Sequence, residues 1–314
     1  MNTQIDNYLA VFNNLDFEKI KDHPNILIAA NFWDEDRYKA ARTCYKFMRE
    51  IDDLIDNYKA NHKVIAEAEK NQFITEVNNW INGVKNKANT NPLQKELIET
   101  LEKFQIPLLA MEAFAKSMIY DIHHGGFQSM QKFLEYTEGA SIAPASIFVH
   151  LCGMENHNGS YKAPPYDVKK AATPCAIFSY LVHIIRDFQK DQKNNLNYFA
   201  DDLIIKNGLT KQDLRNIAYY GNINQGFRDL IREYYLLADK YRRDTHKMIR
   251  EISPYLEPRY QLSLEIIFNL YQMVFERIDV ENGKFTAAEL NPTPDEIKAR
   301  VFRTISSFHE VVTT

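Results

Sequence analysis

Helix breakers are scarce in this chain and bunched. Ten glycines and eleven prolines serve 314 residues, about 7% where average usage gives roughly 12%. A barrel or sandwich of many short strands needs more turn residues than this. Apolar side chains instead recur at helical spacing, and no run of period-two alternation bounded by turn residues stands out. An all-α fold is therefore expected, with helices over roughly 3–20, 34–60, 62–86, 92–105, 107–123, 127–151, 167–193, 210–218, 223–252, 258–281 and 294–311. Between them fall Asn91-Pro92, Gly125-Gly126, Asn156-His157-Asn158-Gly159 ahead of Pro164-Pro165, Ser253-Pro254 and Asn291-Pro292-Thr293-Pro294, each joining turn chemistry to a change of helical phase.

No internal repeat or low-complexity linker divides the chain, so a single domain over 1–314 is expected. Its most apolar helical stretches, 106–118, 139–151 and 175–185, belong at the centre, and function in such a bundle sits between facing helices. Thirty-eight basic against 42 acidic residues give a net charge of -4, with no basic excess to attract nucleic acid or an anionic membrane surface. Cys44, Cys152 and Cys175 are widely spaced and form no CxxC pair, as expected of reduced thiols in a cytoplasmic protein. The first residues lack a basic n-region, so no secretory signal is expected. The longest stretch free of Asp, Glu, Lys and Arg, 139–154, is too short and too polar to span a bilayer.

Two acidic clusters carry the chemistry. In Tyr45-Lys46-Phe47-Met48-Arg49-Glu50-Ile51-Asp52-Asp53-Leu54-Ile55-Asp56, helical spacing puts Asp52, Asp53 and Asp56 on one side, with Arg49 and Tyr45 each one turn further back. A solvated acidic face is the competing reading; the apolar residues around the cluster favour a recessed one. In Tyr180-Leu181-Val182-His183-Ile184-Ile185-Arg186-Asp187-Phe188-Gln189-Lys190-Asp191, the residues Tyr180, His183, Asp187 and Asp191 share one polar stripe on an otherwise apolar helix. His183 is either a satisfied core histidine or a metal ligand. Carboxylates facing one another across a helical cavity suit Mg²⁺, which takes few protein carboxylates and fills its octahedron with water and phosphate oxygens. With no P-loop in the chain, the phosphate chemistry this suggests is departure of a diphosphate rather than transfer of a nucleotide γ-phosphate. Asp121, His123 and His124 have a fragment of zinc-like spacing without the further ligands, and a helix C-terminus is the preferred reading there. No nucleophile elbow is present.

These motifs resemble the squalene/phytoene synthase family of head-to-head isoprenyl diphosphate synthases. Tyr45 to Asp56 matches the family's aromatic-x-x-x-Arg-x-x-Asp-Asp-x-x-Asp helix, and Ile184-Ile185-Arg186-Asp187 with Asp191 matches its second Asp-rich motif. Tyr198-Phe199, Asp121, Tyr136 with the segment that follows it, Tyr234-Tyr235, Ala238, Leu270-Tyr271 and Ile278 fit its other signatures, so the likeness covers about 22–280. The resemblance implies an isoprenoid synthase fold, a helical bundle with a deep apolar cavity that binds two prenyl diphosphates. It implies two to three Mg²⁺ ions on Asp52, Asp56, Asp187 and Asp191, with Asp53 and His183 as further candidate ligands. Arg49 and Arg186 become candidate diphosphate contacts, and Tyr45, Tyr136 and Tyr271 candidates for the inner wall or the diphosphate. NADPH use stays open, because reductive members bind it without a dinucleotide fingerprint. Peripheral membrane association for release of an oily product is compatible with the family.

The chain departs from the family pattern at several positions. Tyr180 and His183 stand where Gln and Asn are usual, Lys190 where Glu is common, Asn195-Leu196 where Gly-Arg is usual, and Asn25-Ile26 in place of Ser-Phe. The second cluster is therefore the modified one, and an altered product or substrate is the expectation. Two other functions compete: terpene cyclisation or head-to-tail elongation on a related fold, and a non-catalytic relative serving assembly or binding. Loss of the aspartates would mark the last, and all are present.

Overall fold

The computed structural model describes residues 3–18, 25–61, 65–88 and 91–311, without the side chains of residues 3, 56–58, 60 and 61. The all-α expectation is borne out. Two of the residues read as breakers, Asn91 and Thr293, turn out to be helix caps, and Asp167 and Asn224 do the same elsewhere. Asn91 caps Pro92–Lys103, Asp167 caps Val168–Lys193, Asn224 caps Gln225–Ile252, and Thr293 closes a capping box on Pro294–Ser306, each satisfying first-turn N–H groups that have no partner inside the helix. Glu35–Asn61 and Leu108–His123 match the expected spans to within a residue or so.

Several expectations fail for local reasons. The only sheet among the described residues is a hairpin, Glu155–His157 against Ser160–Lys162, in a region expected to be a loop. Its turn is Asn158-Gly159 with both residues at positive φ, the pair that suits a tight hairpin turn. Three short helices, Asn25–Ala30, Asp201–Lys206 and Ala287–Leu290, are too brief to show periodicity and escape the sequence reading. The first helix stops at Asn13 rather than 20, and the helix expected over 62–86 runs Glu67–Lys85. Pro258–Phe275 ends before 281, and beyond it Asp279 turns the chain by accepting from the N–H groups of Glu281 and Asn282. The last helix ends at Ser306, short of 311, where Gln261 accepts the Val311 N–H at 2.8 Å.

The segment expected as one helix over 127–151 is Met130–Thr137, a π-turn over Glu138–Ile142, and Ala143–Gly153. Pro144 removes the N–H that Ala140's carbonyl would use in an α-turn, which favours the wider turn. Gly139 lets this turn approach Leu108–His123 closely: a Cβ there would lie 2.0 Å from the Ala113 carbonyl oxygen and 2.3 Å from Ser117 Oγ. Ser117 donates to the Tyr136 carbonyl at 2.9 Å, tying the same two elements together.

Two further ties set the position of the helix that carries the first acidic cluster. At its start, the fully buried Arg37 donates to the Met154 carbonyl at 2.6 Å and lies over the Tyr260 ring at 4.3 Å. Near its end, Lys59 reaches across to Asp121 at 2.7 Å on Leu108–His123. Both partners of that pair are largely buried, so loss of one leaves the other charge uncompensated. The apolar core is one continuous cluster from Tyr8 to Ile305. No helix among the described residues is long and apolar enough to cross a membrane.

Gly139→Ala should cost about 2–3 kcal/mol by overpacking, read as a lower midpoint in urea; an unchanged midpoint would mean that the close approach is not real. Lys59→Met should cost about 3 kcal/mol, and adding Asp121→Asn should restore part of it in a double-mutant cycle.

Candidate active site

One cavity of about 1130 Å³ gathers most of the predicted residues. Its wall includes Tyr45, Arg49, Asp52 and Asp53 from Glu35–Asn61, and Tyr180, His183, Arg186, Asp187 and Asp191 from Val168–Lys193. Tyr136 enters from Met130–Thr137 and Tyr271 from Pro258–Phe275. The side chain of Asp56, expected beside Asp52, lies outside the described residues. Helical spacing explains the convergence within each cluster: i, i+3 and i, i+4 positions share a face, so each helix delivers its polar groups as a stripe.

Each stripe supplies its own counter-charge. Arg49 donates to both Asp52 and Asp53. Arg186 grips Asp187 with two hydrogen bonds, 2.8 Å from Nε and 2.6 Å from Nη2. The two guanidinium groups, candidate diphosphate contacts, each hold carboxylates of their own helix. Among the described residues no three His, Cys, Asp or Glu side chains come together as a preformed metal cluster.

The carboxylates differ in their electrostatics. Burial raises the Asp52 carboxyl above its ordinary pKa; Arg49 pulls it down, and neighbouring Asp121 adds to the rise. Burial also acts upward on Asp187, but hydrogen bonds and charge from Arg186 outweigh it and leave that carboxyl below the usual range. Burial, with help from the Arg186 charge, pushes the His183 pKa down to about 3, so its imidazole is neutral at physiological pH. The His183 Nε2 is buried and has no hydrogen-bond partner, and the Tyr271 ring stands edge-on to the imidazole at 5.2 Å.

Aromatic rings line much of the remaining wall. Tyr136 is buried, faces Tyr180 at 6.3 Å, and Tyr180 meets Tyr198 at 6.2 Å. The Tyr136 hydroxyl donates to Asp121 at 3.3 Å, the carboxylate that Lys59 also holds, so the structural tie and the cavity wall share a residue. Leu108–His123 ends where the two histidines begin, and His124 stacks on Tyr120 at 3.9 Å, in keeping with a helix C-terminus. Sequence reasoning missed Lys59, although it lies seven residues beyond Asp52 and therefore on the same stripe. It also missed the rim formed by Asn291, Pro292, Pro294 and Ile297, read only as a turn and the start of a helix. Of the departures, Asn25 lines this cavity, and Ile26 lines a small apolar chamber of about 60 Å³ that shares Tyr271 with it. Asn195 has φ 58°, the left-handed conformation that glycine adopts freely and asparagine tolerates best among other residues.

Comparison with known proteins identifies the family and the fold. The profile of the squalene/phytoene synthase family matches residues 21–297. A dehydrosqualene synthase crystallised with a ligand superposes with a TM-score of 0.67 at 15% identity, over 97% of this chain and 98% of that one. Squalene synthase HpnC from Alicyclobacillus acidocaldarius gives 0.63 at 12% identity over 85% and 96%. YisP from Bacillus subtilis subsp. subtilis strain 168 gives 0.61 at 12% identity over 96% and 98%. Likeness at such identities speaks to the fold alone, and the profile match speaks to kinship. With its two Asp-bearing helices around one cavity, the chain belongs to the squalene/phytoene synthase family and has the all-α isoprenoid synthase fold.

Proposed function

We propose that this protein is a Mg²⁺-dependent head-to-head prenyltransferase that ionises a prenyl diphosphate such as farnesyl diphosphate and joins it to a second molecule. The observation that carries the reading is the 1130 Å³ cavity, whose wall combines carboxylates and guanidinium groups with tyrosine, leucine, isoleucine and methionine side chains. A prenyl diphosphate is a compact polyanion on an apolar chain, and this lining offers a surface for each part.

The donor set fits a hard cation. Asp52 on one helix and Asp187 and Asp191 on the other would supply carboxylate oxygens to the ions, with Asp53 on the same wall and Asp56 expected beside Asp52 from helical spacing. Magnesium bound there would draw electron density from the departing diphosphate. Arg49 and Arg186 would add hydrogen bonds to the same oxygens once they turn from their aspartates. In the first step the allylic C–O bond breaks and its electron pair leaves with the diphosphate. The double bond of the second substrate then forms the new C–C bond, and loss of a proton closes a cyclopropane. Tyr45, Tyr136 and Tyr271 would offer ring faces to the cation, and the apolar wall would keep water from quenching it. The same reading takes the chain as one catalytic domain of the cytoplasm, with product leaving through contact with a membrane.

Asp52→Asn and Asp187→Asn should each slow Mg²⁺-dependent diphosphate release from farnesyl diphosphate by about 10²-fold or more; wild-type rates in both variants would contradict the reading. Stability moves the other way at Asp52. A carboxyl held above its unfolded pKa lends stability below the unfolded value and loses it as pH rises through the folded one. Ionisation of Asp52 therefore costs stability as pH rises, and Asp52→Asn, which cannot ionise, should gain in melting temperature relative to the parent over that rise. The gain should vanish on acidification; a difference that stays constant or falls as pH rises would contradict this account.

A further inference from the structure

We propose, resting on the diphosphate-binding reading above, that Lys190 is a direct contact for the diphosphate and lets the cavity take up that anion before any metal ion is bound. Among the described residues, three cationic side chains line the cavity: Arg49, Arg186 and Lys190. Two of them are committed. Arg49 donates to Asp52 and Asp53, and Arg186 engages both oxygens of Asp187, so each must release a carboxylate before it can serve an incoming anion. Lys190 forms no hydrogen bond or ion pair with any carboxylate among the described residues. It is ready as it stands. The helix sets its position: Lys190 lies one turn beyond Arg186 and Asp187 on the same face, near enough that its charge helps to hold the Asp187 carboxyl down. Its neighbour Gln189 ties that turn from two sides, donating to the Ala218 carbonyl at 3.2 Å and accepting the Ala287 N–H at 3.5 Å, and Ala287 leads into the rim at Asn291 and Pro292. Lys190 is exposed while it lines the cavity, so it stands at the open side, where a polyanion arriving from water meets it first. A lysine in the last turn of a helix also suits the helix dipole, which is reason enough for Lys193, exposed in the same turn and outside the cavity lining. Lys190 differs in facing the cavity. Its ammonium group is a point charge with three donors on a flexible stem, able to follow the phosphate oxygens without giving up a partner.

The test uses the full chain, stripped of metal with EDTA and titrated calorimetrically with inorganic diphosphate at constant ionic strength. The metal-free wild type should bind diphosphate, Lys190→Met should bind it at least about tenfold more weakly, and Lys193→Met should match the wild type. No binding by the metal-free wild type, equal affinity in Lys190→Met, or a loss as large in Lys193→Met would overturn the assignment of Lys190. A second titration with Mg²⁺ present separates this from the reading on which it rests. Diphosphate binding that appears only with Mg²⁺ and is the same in Lys190→Met would overturn the role of Lys190 and leave the metal-dependent reading standing. Absence of binding with and without Mg²⁺ would overturn both. The metal-free wild-type titration decides the first point whether or not a variant folds well.

Discussion

Carboxylates crowded around one cavity repel one another, and their neutralisation is the constraint on which the rest of the structure depends. Two like charges 4 Å apart cost about 4 kcal/mol at the effective dielectric of a protein surface. The chain answers with cations from the same helices: Arg49 for Asp52 and Asp53, Arg186 for Asp187. Arg186 holds the Asp187 carboxyl below its usual range, whereas at Asp52 burial outweighs the pull of Arg49. The pairing also makes each arginine a group that can change partners when a polyanion and its metal ions arrive.

Such a balance tolerates little movement, which gives the rigid surroundings their purpose. The helix bearing the first cluster is fixed at its start by Arg37 stacked on Tyr260 and near its end by Lys59 on Asp121. Asp121 also receives the Tyr136 hydroxyl, and Tyr136 sits just ahead of the π-turn that Gly139 packs against Leu108–His123. Polar anchoring and the aromatic wall are thus one connected set of contacts. A substitution at Lys59 or Gly139 should be felt in the cavity although neither lines it.

Much of this was legible in the sequence because it follows from helical periodicity. The long helices and the stripes Arg49-Asp52-Asp53 and His183-Asp187-Asp191 follow from spacings of three and four, whereas the capping role of Asn91 and Thr293 was read only as a break. What could not be read depends on contacts between segments distant in sequence. The pairing of Lys59 with Asp121 spans 62 residues, and the rim at Asn291 to Pro294 reaches the cavity only through the packing of the last helix. The π-turn was hidden because a single proline shifts the hydrogen bonding without breaking the apolar pattern. Helices of four to six residues carry too few turns to declare a period. At the modified positions the structure adds what the sequence withheld: Asn195 meets a backbone demand, and the His183 imidazole packs edge-on against Tyr271.

The central claim is that the two Asp-bearing helices jointly hold metal ions around one diphosphate. Crystals grown with Mn²⁺ and a non-hydrolysable farnesyl thiodiphosphate test it most directly, through anomalous scattering at the manganese edge. The account predicts anomalous peaks in the cavity on both sides of the diphosphate, one set near Asp52 and the other near His183, Asp187 and Asp191, with Arg49 and Arg186 turned towards the phosphate oxygens. A diphosphate bound elsewhere, or bound in the cavity with no anomalous peak beside either helix, would contradict it.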